Sequence, residues 1–465
     1  MAAIEGDVLV LGLGRSGRAT VRYLASLADS GAPLSVTVAD EAAEETVGSM
    51  AKEMRALGAR VLTGAHFVPG SFDLVVASPG ISPGSVLISS ARAAASEVIS
   101  EVELAWRVSR SPWIAITGTN GKTTVTALTA HLLAGAGMPA ETVGNIGRPA
   151  ISVAPDLDPE TVLVAEVSSF QLALTHGFHP RVAVLLNITP DHLDWHGTME
   201  RYAADKARIF ANLGPGDVAV IDVDDPGSAP WADTVESRGV PVRRVSVHGL
   251  PRGGAGLVDG VLTIDTPTGQ RPVAAAADLR IRGEHNVSNA LAACAAAVAA
   301  GADLEALAAP LLSFEPIEHR LEPAGHADGV EYFDDSKATN PDSVIKALTA
   351  FGERDVVVLL GGRNKGNDFR PLALEVARRC RCAVVFGESA RELTEAFADS
   401  GLEPTVCHTM AEAVVAAGRL AKPGGVVLLS PGCASFDEFT DYEHRGRAFK
   451  ALVETLAHED RGGRW

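Results

Sequence analysis

Cysteine is scarce and oddly numbered in this sequence, at 5 of 465 residues. Cys380 and Cys382 are one residue apart, and Cys294, Cys407 and Cys433 are scattered. No metal-ligand spacing appears, so the thiols are expected to sit in a reducing cytoplasm. Long apolar runs are also missing, which predicts no membrane insertion. The N-terminus lacks the basic start, apolar stretch and cleavage site of a secretory signal. Positive charge is in deficit: 40 Lys and Arg against 58 Asp and Glu give a formal charge of −18. That balance argues against a nucleic-acid partner. It leaves anionic small substrates open, since these need only local cations, helix N-termini and metal ions. Repeats and low-complexity tracts are absent.

What is present suits several cores. At 465 residues and 46% hydrophobic content, two to four globular domains are expected. Strands alternating with helices divide the chain into three α/β blocks with parallel sheets. The first opens with a strand at 7–11, a glycine turn and a helix, then strands at 35–39 and 73–77. The second spans strands at 113–116, 162–165 and 182–186, an Asp259-Gly260 hairpin turn and an Ala-rich helix from 288 to 300. The third begins near 314–316 and carries strands at 356–360, 383–386 and 426–429. Each of these runs into glycine or serine at its C-terminal end, where open α/β sheets bind ligands. The polar tail 459–465 is expected to fray.

The stretch 116–124 is the most informative. An apolar strand enters Gly118-Thr119-Asn120-Gly121 and leaves as a helix behind Lys122-Thr123-Thr124. Backbone N–H groups and the positive helix end face an anion there; Lys122 reaches terminal phosphates and Thr123 holds Mg²⁺. ATP or GTP is the expected ligand. The usual spacing would need Gly at 116, where Ile stands, so this is a shorter variant of the loop.

Gly12-x-Gly14-x-x-Gly17, with Arg15 and Ser16 between, matches a dinucleotide fingerprint, and Asp40 ends the next strand. An NAD(P) site, another pyrophosphate such as that of a UDP-sugar, and a structural turn all remain open. A nicotinamide site does not account for the ATP-type loop.

Further polar residues gather at strand ends. Glu166 ends a buried strand and suits Mg²⁺ as a Walker-B acid does. The run 187–196 holds Asn187, Asp191, His192, Asp194 and His196, and His192 offers a neutral imidazole to a metal. Thr198 caps a helix expected to run through Phe210. Tyr202, Lys206 and Phe210 fall on one apolar stripe of it. Burial lowers an amine pKa, and a deprotonated Lys206 reacts with CO₂ to give an anionic carbamate. From spacing alone, snorkelling to solvent is the simpler expectation. Asn286 and Asn289 share a face just before the Ala-rich helix, as base readers or caps. In the third block, the loops 334–341, 361–366 and 430–437 carry groups suited to a small dianion. Pro341 is expected to start a helix, and Ser435 to lie near another helix start.

Taken together these motifs resemble the Mur ligase family, the ATP-dependent amino-acid ligases of peptidoglycan synthesis. The resemblance runs in family order: GLGRSG at 12–17, TGTNGKTT at 117–124, VGNIG at 143–147, EVSSFQL at 166–172 and ITPDHLDWH at 188–196. It continues with ADKARIF at 204–210, GEHNVSNA at 283–290, HRLE at 319–322, DDSKATNP at 334–341, GGRNKG at 361–366 and SPGCASFDEF at 430–439.

The resemblance implies an α/β fold of three domains. These are a Rossmann-like UDP-substrate domain (1–110), a central P-loop-type ATPase domain (111–313) and a Rossmann-like amino-acid domain (314–465). It implies a cytoplasmic, monomeric enzyme that adds D-glutamate to UDP-N-acetylmuramoyl-L-alanine using ATP and two Mg²⁺ ions. Lys122, Glu166, His192 and Lys206 match catalytic positions. Thr123, Glu166, His192 and a carbamylated Lys206 match metal ligands. Gly118 to Thr124, Asn286, Asn289, Arg320 and Asp335 match the nucleotide site. Gly14, Arg15, Ser16, Asp40, Ser78, Gly80, Asn145, Ser168 and Gln171 match the UDP-substrate site. Lys337, Thr339, Lys365, Ser435 and Phe436 match the amino-acid site.

Overall fold

The computed structural model describes residues 4–81, 84–145, 147–351 and 356–462. It is an α/β protein with three parallel-rich sheets. By contacts it divides into two compact units. One comprises 1–188, 195–278 and 288–312; the other comprises 189–194, 279–287 and 313–465.

The first unit contains two sheets. The smaller is wholly parallel, in the order Arg60–Leu62, Leu34–Ala39, Gly6–Leu11, Leu74–Ala77, Val98–Ser100. Its central strands read as continuous apolar runs because helices cover both faces. Strand order reverses between Gly6–Leu11 and Leu74–Ala77, and such a switch point opens a crevice at the C-terminal edge. The larger sheet has nine strands. Trp113–Thr117 lies between Val162–Glu166 and Val182–Leu185, both parallel to it. An antiparallel tail, Ala255–Val258, Val261–Thr266 and Gly269–Ala275, closes one edge. The expected Asp-Gly turn joins its first two strands, with both residues at positive φ (48° and 76°).

The second unit holds a six-stranded sheet. Val330–Asp334, Val426–Gly432 and Val356–Gly361 are neighbours and parallel. The loops that follow them therefore leave from one edge. Pro341 does start a helix, Pro341–Leu348, capped by the Asn340 side chain on the Ser343 N–H.

Four local expectations need correction. The Ala-rich helix begins at Glu284, so Asn286 and Asn289 lie in its first turns rather than before it. Ser435 lies in a turn, and the next helix starts only at Tyr442. That last helix runs to Gly462, so the chain is helical across 459–462, where fraying was expected; 463–465 lie outside the described residues. The Thr198-capped helix tightens to 3₁₀ geometry over Arg208–Phe210.

Candidate active site

Register brings the phosphate loop and its acid together. Ile116 pairs with Glu166 across adjacent parallel strands, so the loop after Thr117 and the carboxylate leave the sheet side by side. The Glu166 Oε2 accepts from the Thr123 hydroxyl at 2.8 Å, and its Oε1 accepts from the Asn145 amide at 2.9 Å. Gly121 has φ 85°, which favours glycine, and a Cβ there would lie 2.5 Å from the Asn289 Oδ1, which would have to move aside. The loop is tied to the neighbouring strand end through Asn187, whose Oδ1 accepts from the Asn120 N–H at 2.8 Å.

Two lysines converge on this loop. Lys122 Nζ donates to the carbonyls of Gly118 and Thr119, each at 2.8 Å. Lys206 Nζ donates to the Gly118 carbonyl at 2.8 Å and sits 4.6 Å above the Tyr202 ring. Lys206 is 2% exposed, so it does not snorkel to solvent. The cause is the loop packed over its tip, which spacing along one helix does not reveal. A hydroxyl and a carboxylate beside a helix N-terminus form a hard-oxygen donor set that fits Mg²⁺ and phosphate together.

The N-terminal glycine turn opens a cleft of about 510 Å³. Gly14, Arg15, Ser16, Asp40, Ser78, Gly80, Asn145 and Gln171 line it. Gly17 is needed where the helix meets the strand end, since a Cβ would stand 1.9 Å from the Gly12 carbonyl oxygen. Asp40 accepts from the Leu13 N–H at 2.6 Å and the Ala42 N–H at 2.8 Å, which fixes its carboxylate at the cleft wall. Arg15 donates to the Gly147 carbonyl at 2.6 Å. Ser168 does not line the cleft; it caps a short helix and forms a reciprocal capping box with Gln171. Ile146, within the VGNIG motif, lies outside the described residues.

The second unit holds most of the remaining residues, whereas Asn289 belongs to the first. Asp335 is buried and accepts from the Ser430 hydroxyl at 2.7 Å. Burial pushes its carboxyl up to about 7, against the opposing pull of that hydroxyl and the Arg320 charge. Lys337 Nζ stands 3.7 Å from the Tyr442 ring centre. Lys365 Nζ lies 3.3 Å from Asp191 Oδ1, and the Asn340 amide donates to Asp191 Oδ2 at 3.2 Å. His192 follows at φ 52°, its N–H on Asp191 Oδ1 at 3.0 Å. Asn286 donates to the Arg282 carbonyl at 2.6 Å. Thr339 is half-buried, whereas Phe436 is 63% exposed. His192 thus belongs to the second unit, while Thr123, Glu166 and Lys206 belong to the first.

Arg445 was not singled out from sequence. It is fully buried, and its guanidinium donates to the carbonyls of Ser336 (2.8 Å) and Cys433 (3.1 Å) and to the Ser336 hydroxyl (2.9 Å). Burial pulls it down to about 10. It ties together the loops that carry Lys337 and Ser435. Its signal was available: Arg445, Phe449 and Val453 are spaced like Tyr202, Lys206 and Phe210, a cation on an apolar stripe.

The chain is similar to proteins of known family. A Mur ligase middle domain matches residues 116–297, and a Mur ligase glutamate ligase domain matches 319–433. A UDP-N-acetylmuramoylalanine–D-glutamate ligase from Pelotomaculum thermopropionicum is 45% identical, covering 97% of each chain. One of the same name from Geobacillus kaustophilus is 40% identical, also over 97% of each. Among solved structures, a pseudomurein peptide ligase type C from Methanothermus fervidus is similar in fold, with a TM-score of 0.60 at 17% identity over 97% of this chain and 99% of that one. A UDP-N-acetylmuramate–alanine ligase from Thermotoga maritima gives 0.58 at 19% identity, with the same coverage. With relatives this similar along nearly its whole length, the chain belongs to the Mur ligase family.

Proposed function

We propose that this chain is an ATP-dependent ligase joining D-glutamate to UDP-N-acetylmuramoyl-L-alanine in the cytoplasm. The observation that carries the reading is the phosphate loop with Thr123 on Glu166 and Lys122 and Lys206 on one loop carbonyl. The 45% identity to a relative named for this reaction supports the choice of substrates. No helix among the described residues is long and apolar enough to cross a membrane. In this reading the chain works as a monomer of three domains, 1–110, 111–313 and 314–465. They take the UDP-substrate, ATP and the amino acid in turn.

The chemistry follows from charge. A carboxylate is a poor electrophile, so its oxygen attacks the γ-phosphorus of ATP and forms an acyl phosphate, releasing ADP. Lys122 leaves its loop carbonyls to meet the charge that develops on the phosphoryl oxygens. Two Mg²⁺ ions, when bound, supply charge neutralisation along the phosphates. Thr123 and Glu166 would hold one, and His192 with a carbamylated Lys206 the other. The amine of D-glutamate then attacks the acyl carbon, and phosphate leaves. Lys337, Thr339, Lys365, Ser435 and Phe436 orient the glutamate. Asn286, Asn289, Arg320 and Asp335 orient the adenosine end. Gly14, Arg15, Ser16, Asp40, Ser78, Gly80, Asn145 and Gln171 hold the UDP-muramoyl end, and Ser168 caps the helix that carries Gln171.

Phosphate release from ATP with Mg²⁺ and UDP-N-acetylmuramoyl-L-alanine tests the reading. Release with D-glutamate, and none with L-glutamate or without amino acid, is expected. Release only with another amino acid would assign the chain to a sister reaction of the family.

A further inference from the structure

His196 has no part in the reaction above, yet it is among the most engaged side chains of the first unit. Its side chain is 0% exposed and both ring nitrogens are occupied. Nδ1 is 2.8 Å from Asp205 Oδ2, and Nε2 is 2.9 Å from the Ser169 hydroxyl. An ionised carboxylate only accepts, so Nδ1 carries the hydrogen of that bond, and Nε2 faces the Ser169 hydroxyl. The order Asp–His–Ser resembles a nucleophile relay, but Ser169 is 3% exposed and does not line the cleft. Without access to a substrate, the row acts as a strut.

The strut joins three segments that matter. Ser169 lies three residues after Glu166, and Asp205 immediately precedes Lys206. The His196 ring stacks on Phe170 at 5.5 Å and contacts Trp195 at 4.3 Å and Tyr202 at 5.0 Å. The Tyr202 hydroxyl is 3.0 Å from the Thr119 hydroxyl in the phosphate loop, and its ring face lies under Lys206. Contacts from one imidazole therefore reach the strand end bearing Glu166, the helix bearing Lys206 and the loop between them.

We propose that His196, held by Asp205 and Ser169, is a positioning residue that fixes Lys206 relative to Glu166 and so sets the divalent-cation affinity of the phosphate-loop site. The inference rests on the reading of Glu166 and Lys206 as cation-site residues. A long lysine side chain keeps a defined tip only when its helix is anchored. Groups hydrogen-bonded behind a metal site govern affinity nearly as strongly as those that touch the ion.

Mn²⁺ binding, followed by electron paramagnetic resonance on the full chain with a non-hydrolysable ATP analogue, tests this. The set is wild type, Glu166→Gln, His196→Phe, Asp205→Ala and Ser169→Ala, each with a thermal melt by circular dichroism. Phenylalanine keeps the ring stack and removes both hydrogen bonds. Glu166→Gln is expected to lose binding; His196→Phe and Asp205→Ala are expected to raise the Mn²⁺ Kd by about tenfold or more. Ser169→Ala is expected to raise it less, with an unchanged melt. Wild-type binding by Glu166→Gln would remove the cation-site reading itself. Lost binding there, with wild-type Kd in His196→Phe and Asp205→Ala, would overturn the positioning role. If those two variants melt early, Ser169→Ala, which deletes a single oxygen, decides: an unchanged Kd overturns the proposal and a raised one supports it.

Discussion

Both units set a lysine ammonium over a tyrosine face, but they hold it differently. Lys206 in the first unit is 2% exposed, hydrogen-bonded to a loop carbonyl, and over Tyr202. Lys337 in the second is half-buried on a loop, over Tyr442, with its backbone N–H on the His319 carbonyl. The first lies among groups that are themselves anchored: Tyr202 by Thr119, the helix by Asp205 and His196. The second is only half-buried. An enclosed cation suits a permanent part of the machinery, whereas a half-buried one suits a ligand that comes and goes. The same pair of residue types thus serves two purposes, and burial decides which.

The largest test of that contrast is Lys206→Ala. Removing a fully enclosed group of the reaction centre should lower turnover by on the order of 10³-fold. Short-chain carboxylic acids should restore part of it if they fill the place of a carbamate. Wild-type-like turnover in a steady-state assay would end the carbamate proposal. Lys337→Ala should act on binding instead. KM for D-glutamate should rise by roughly 10- to 100-fold, the worth of a charge-assisted hydrogen bond, with kcat changed less. A fall in kcat alone would erase the distinction between the two lysines.

Smaller effects sharpen it. In the unmodified chain, whose Lys206 is an ammonium, replacing the ring beneath each lysine, Tyr202→Leu against Tyr442→Leu, should cost more stability at the desolvated site. Cation–π attraction is worth about 2 kcal/mol or more when desolvated and about 0.5–1 kcal/mol when exposed. Equal losses in a thermal melt would argue that burial is irrelevant.

The smallest effect expected is on stability against pH. Asp335 titrates at about 7 in the fold, above its ordinary 3.8, so the folded chain keeps a proton that the unfolded chain releases. Its contribution is complete below about 4 and is lost as pH rises towards 7. His285 runs the other way. Burial lowers it from 6.5 to about 4, so its contribution is present above 6.5 and lost as pH falls towards 4. Asp335→Asn should therefore raise the melting temperature near pH 7 relative to pH 4.5, compared with wild type, by roughly a few degrees. Parallel pH profiles for the two proteins would contradict the assignment of Asp335.

Much of this was legible in the residues. Apolar runs bounded by glycine gave the strands, because a strand buried on both faces has no room for polar residues. Pro341, the Asp259-Gly260 turn and the Thr198 cap were readable because each depends on chemistry within a few residues. Some element boundaries were misread. The Ala-rich run suggests a helix from 288, yet the helix begins at Glu284, right after Gly283, and takes in His285 and Asn286. Ser435 looks like a cap, but its turn closes on itself through the Phe439 N–H to Ser435 carbonyl bond. Arg445 passed unnoticed although its spacing matched that of Lys206.

By itself, the sequence determined the alternation of strands and helices, the phosphate loop and the list of ligand-type residues, since these follow from periodicity and backbone conformation. Only the tertiary structure decided which of them meet. Parallel register set Glu166 beside Thr123, packing carried the Lys206 tip to the Gly118 carbonyl, and burial moved Asp335 up to about 7. Hydrogen-bond partners far apart in the chain, and the low dielectric they share, exist only once it has folded.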